Sequence, residues 1–131
     1  MSSFVRVLLI SGAVVLVYDI VAASASRAFG FAYASASLGS YLIYATAGFM
    51  GARAGGGVAM GVLAAVAAGL VDATAGWLVS AWIGPGRPTG AAATSTAIGA
   101  VVVIVPVLAG IIGLVGAVVA WLVGLPPARG G

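Results

Sequence analysis

Asp19 and Asp72 are the only acidic residues in a chain of 131, and they stand 53 positions apart. Each lies inside a long apolar run, where an ionisable side chain costs on the order of 2.5–3.5 kcal/mol to insert into a membrane and so points to a role. Two carboxyl groups brought together away from water take up a proton or a cation between them, which is the chemistry of an ion- or proton-coupled carrier. The competing reading is structural. Each Asp then caps a neighbouring helix end or pairs with an arginine, and Arg27 and Arg87 are the candidate partners. Arg27 stands about two turns beyond Asp19 and its long side chain leans back towards it. The structural reading takes precedence, because ion pairs that only set register also place charge in apolar segments.

Other means of catalysis are missing. The chain has no Cys and no His, and neither Glu nor Lys occurs. That excludes a disulfide framework, thiol redox chemistry, histidine-held haem and an ordinary zinc site. No catalytic residue, metal site or cofactor is expected, and the chain does not read as an enzyme. The pI of about 10.0 arises from arginines dispersed singly at Arg6, Arg27, Arg53, Arg87 and Arg129. A nucleic-acid face needs them clustered, so nucleic acid is set aside as a partner. The glycines of residues 84–90 lack the Lys and the preceding strand of a phosphate-binding loop.

The elements that carry the two aspartates follow from composition. The sequence is 63% hydrophobic and 5% charged, with mean hydropathy +1.29. A soluble domain carries about 25% charged residues, so the pattern is that of a polytopic integral membrane protein. The expected fold is all-α and a single domain over residues 1–131. It is a bundle of four transmembrane helices in two antiparallel hairpins, at about 4–26, 32–52, 58–83 and 97–124. The first run resembles a secretory signal in outline, but Asp19 interrupts it, and it is read as the first span. Short turns around Gly30 and at Gly55-Gly56-Gly57 separate the first three helices. Pro85 and Pro88 end the third, and Thr94, Ser95 and Thr96 offer a cap for the fourth.

Small residues recur at helical spacing. Gly57, Gly61, Ala65, Gly69, Asp72 and Gly76 share one stripe of the third helix, and Gly110 and Gly113 lie on a similar stripe of the fourth. Such stripes let backbones approach closely where water supplies no driving force. Pro106 leaves the Val102 carbonyl without its usual donor, so a kink is expected there. Tyr41 and Tyr44 fall on one side of the second helix, and tyrosines at that depth need hydroxyl partners, so this side is expected to be a polar interior face.

Asp19 and Asp72 occupy comparable places on odd-numbered helices, as a parallel duplication of two hairpins would put them. Arginine placement favours both termini on the cytoplasmic side of a bacterial inner membrane, with Arg6, Arg53 and Arg129 inside and Arg27 and Arg87 outside. Glycine stripes on several helices exceed what one small bundle uses internally. The leading expectation is therefore an accessory subunit or homo-oligomer in a larger membrane assembly, its partners being the lipid bilayer and other membrane subunits or a second copy. The alternative is a small ion- or proton-coupled transporter or channel built on Asp19 and Asp72.

Overall fold

A computed structural model describes residues 1–90 and 94–124. Within them the chain is an all-α, four-helix bundle. Helix α1 (Ser3–Phe29) starts where the Ser2 side chain accepts from the Val5 N–H and stops at Gly30, whose φ of 73° only glycine adopts freely. After a 3-10 turn over Tyr33–Ala36 comes α2 (Ser37–Gly55). Gly56, at φ 80°, closes α2 by donating to the Ala52 carbonyl, and α3 (Val58–Ile83) follows at once. Helix α4 (Ser95–Leu122) begins where the Thr94 hydroxyl accepts from the Ala97 N–H at 3.2 Å. Three of the four, α1, α3 and α4, are long and apolar enough to cross a membrane. Together they suggest a multi-pass membrane protein.

Several expected boundaries move. Helix α1 continues three residues past the expected end, carrying Arg27 in its last turn. Helix α2 begins five residues later than expected, because residues 33–36 wind more tightly. Two hydrogen bonds hold that tighter turn: the Tyr18 hydroxyl donates to the Ala36 carbonyl, and the Ser37 hydroxyl donates to Ala34 at 2.7 Å. The expected loop at Ala91 to Ala93 and the tail with Arg129 lie outside the described residues.

Helix α3 is not uniform. Between Val58–Val71 and Trp77–Ile83, residues Asp72–Gly76 form one π turn. Such turns insert one extra residue into a helix and often mark functional positions. The Thr74 hydroxyl bonds back to the Leu70 carbonyl at 2.6 Å, which ties down a carbonyl in the loosened ladder.

Packing centres on α2 and α3, which lie together. Each is flanked by both α1 and α4, whereas α1 and α4 do not approach one another among the described residues. A two-fold relation between the hairpins would map the α2–α3 contact onto an α1–α4 contact. The bundle therefore lacks the symmetry that the repeated aspartates suggested.

Apart from Tyr44, the core is built of small side chains. Val15, Tyr44, Ala47, Ala68 and Ala109 form one buried cluster, and Ala52, Ala117 and Ala120 a second. Glycine makes these approaches possible. A β-carbon at Gly61 would overlap the Gly48 carbonyl and come within 2.6 Å of the Ala117 methyl. One at Gly69 would come within 2.5 Å of the Ala109 methyl and 3.0 Å of Pro106 Cα. Helix α4 runs on through Pro106, with Gly69 set against it. Gly113 packs on Ala65 and on Gly48, while Gly110 faces the γ-methyls of Val66 and Val62. Gly57 departs from its expected packing role, since a β-carbon there would meet nothing within 4 Å. It belongs to the turn before α3, one turn too early to face a neighbour.

Candidate functional site

The two aspartates meet. Asp19, on α1, is only 2% exposed, and its Oδ1 accepts a hydrogen bond from the Tyr33 hydroxyl at 3.3 Å. Asp72, the first residue of the π turn in α3, is half-buried and accepts from the Tyr44 hydroxyl through Oδ2. The remaining oxygens turn towards each other over Gly76. A β-carbon at Gly76 would overlap Asp19 Oδ2 and lie 3.3 Å from Asp72 Oδ1. Gly76 thus has a second role beside helix packing, because its missing side chain is the space in which the carboxyl groups converge.

Asp19 Oδ2 is buried and has no hydrogen-bond partner among the described residues. A buried acceptor left without a donor is costly, on the order of 1–3 kcal/mol or more for a charged group. The site therefore holds one buried carboxyl oxygen without a donor among the described residues.

Both carboxyl groups line a cavity of about 210 Å³ to whose wall Tyr18, Tyr33, Tyr41 and Tyr44 all contribute. Its remaining wall comes from the turn before α2, from α2 itself and from Val105 and Leu108 of α4. The Tyr44 ring is fully buried and sits 6.4 Å from that of Tyr41, centroid to centroid. The expected polar interior face is present, with Tyr44 as the residue that reaches a carboxylate. Past the cavity, towards the end of the bundle that holds Gly56, the packed cluster of Val15, Ala47, Ala68 and Ala109 fills the interior.

The candidate arginine partners are elsewhere. Arg27 donates through Nη1 to the Ile83 carbonyl at 2.8 Å, and both Arg27 and Arg87 are exposed. Neither forms an ion pair with Asp19 or Asp72 among the described residues. The reason is geometric. The last carbonyls of α3 have no helical donor, and the Arg27 guanidinium at the matching end of α1 reaches one of them before it can fold back two turns to Asp19.

Tyr18 and Tyr33 do not stand out by spacing, yet Tyr33 holds Asp19. Tyr18 carried a signal, being adjacent to Asp19. Tyr33 carried none, since it reaches the site only because the chain reverses at Gly30. Among the described residues there is no group of three or more His, Cys, Asp or Glu side chains arranged for a metal ion. No family model matches the chain, and no curated protein or solved structure matches it either.

Proposed function

We propose that the chain is a small ion- or proton-coupled membrane transport protein in which Asp19 and Asp72 together bind the transported or coupling cation. The observation that carries this reading is the convergence of two carboxyl groups, from different helices, over Gly76. Two adjacent carboxylates in a poorly solvated site repel each other, and a proton or cation placed between them removes both the repulsion and the unmatched acceptor. Tyr33 and Tyr44 hold the outer oxygens, which leaves the inner pair free to bind and release. The cavity lies on the side of the Tyr33–Ala36 turn, and the alanine-rich cluster closes the other side. Access from one side at a time is what a carrier requires.

In this reading all four helices cross the membrane as two antiparallel hairpins. Helix α2 has 19 residues, roughly 28 Å at 1.5 Å per residue, and packs against the three longer helices. The expected setting is a bacterial inner membrane with both termini cytoplasmic. The deciding experiment is proton and cation flux in liposomes for wild type, Asp72→Asn and Asp19→Asn. Flux in wild type that both variants lose while remaining folded supports the proposal. No flux in wild type under any cation gradient removes it.

A second reading, an accessory subunit or homo-oligomer, is favoured by an apolar groove of about 290 Å³ between α1 and α2, with Ile10, Val14, Leu42 and Met50 on its walls. Thr46→Trp fills that groove. If the chain assembles there, the variant runs smaller than wild type on native gels in mild detergent.

A further inference from the structure

Arg27 and Arg87 are 60 residues apart in the sequence, yet they line one cleft of about 410 Å³ at the ends of α1 and α3, with Trp82 at its rim. We propose that this cleft binds the phosphate of an anionic membrane lipid. The Arg27–Ile83 hydrogen bond engages one N–H of a guanidinium that has five. The side chain of Arg87 has no hydrogen bond or ion pair among the described residues. Both acidic side chains of the protein are committed to the interior cavity, so no acidic side chain is at hand to neutralise this pair. The counter-charge comes from outside the chain.

The surroundings select a lipid over a soluble anion. Trp82 is 84% exposed, and Leu78, one turn earlier on the same helix, is 61% exposed. An indole beside two guanidinium groups, with an apolar helix surface below them, matches the level of a headgroup phosphate with its acyl chains alongside the bundle. Guanidinium groups suit phosphate because their N–H groups bond its oxygens in pairs. The same absence of carboxylates selects the lipid class. A zwitterionic headgroup would bring an ammonium with nothing to receive it, whereas phosphatidylglycerol brings only hydroxyl groups.

The test is native mass spectrometry of the whole chain released from detergent with added phosphatidylglycerol or phosphatidylcholine. The expected result is selective retention of phosphatidylglycerol, weakened about fivefold by Arg87→Gln, the scale of one interfacial arginine. Arg6→Gln, at the opposite end of α1, leaves retention unchanged. Arg27→Gln weakens it at least as much as Arg87→Gln, since it also releases the Ile83 carbonyl. Equal retention of both lipids overturns the proposal, as does an equal loss from Arg6→Gln and Arg87→Gln. Displacement of the lipid by an equal concentration of glycerol phosphate would assign the cleft to a soluble phosphate and also overturn it.

Discussion

Asp19 Oδ2 and Asp72 Oδ1 face each other across the bare backbone of Gly76, in the space where a side chain would begin. Asp72 and Gly76 are the two ends of one π turn, so the turn that aims the carboxyl group of α3 also clears the room for that of α1. The pair depends on that local backbone more than on any residue-to-residue bond. This makes Gly76 as much a part of the site as the aspartates.

Gly76→Ala should therefore separate the carboxyl groups. Alanine gains about 1 kcal/mol over glycine in helix propensity, but its methyl would overlap Asp19 Oδ2. The expected outcome in liposomes is loss of wild-type flux from a protein that still folds. Gly99→Ala is the control, because a β-carbon there meets nothing within 4 Å. It should keep full flux and melt at the same or a slightly higher temperature.

Tyr44→Phe removes the hydroxyl that donates to Asp72 and leaves a carboxylate oxygen without its partner beside a fully buried ring. The expected destabilisation is about 1–3 kcal/mol, read as a lower melting temperature in detergent. Tyr33→Phe should cost less, since its bond to Asp19 is 3.3 Å long and its ring is half-buried. Equal melting temperatures for wild type and Tyr44→Phe would show that the bond contributes nothing.

Gly61→Leu places a branched side chain where the Gly48 carbonyl and the Ala117 methyl already are. Overpacking of this kind costs typically 1–3 kcal/mol, and more where backbone must move. The variant should insert into the membrane yet lose its compact form, seen as faster proteolysis and a lower yield of folded protein. Gly57→Ala, made one turn earlier on the same expected stripe, should leave both measurements unchanged.

Replacing Asp19 and Asp72 separately distinguishes a binding pair from a structural one. Asn keeps the shape and hydrogen-bonding capacity of Asp but cannot ionise. With no arginine paired to either residue, no countercharge is left stranded, so Asp72→Asn should melt at or above the wild-type temperature. A drop of several degrees would point to a buried ionic partner for Asp72.

Much of the architecture was legible in the residues. Hydropathy and length alone place α1, α3 and α4 as membrane-length helices, because apolar runs of that length have few other stable states. Gly30 and Gly56 end helices where a left-handed residue is required, and Thr94 caps α4, since caps and turns depend on a few adjacent residues. The close approaches at Gly61, Gly69 and Gly113 were also readable from small residues at helical spacing.

What lay beyond the sequence is relational. Spacing put Asp19 and Asp72 on helices running the same way but could not say that their carboxyl groups meet, because rotation of each helix is set by its neighbours. The π turn at Asp72–Gly76 is likewise announced by no local residue type, and it re-aims everything beyond Val71. Arg27 reads as a partner for Asp19 along one helix, and only the tertiary structure brings an unbonded carbonyl of α3 within its reach. The apparent repeat shows the limit most plainly. Two similar aspartate-bearing segments share a composition, yet α2 and α3 pack together while α1 and α4 stay apart, because contacts between helices depend on which small residues happen to face one another.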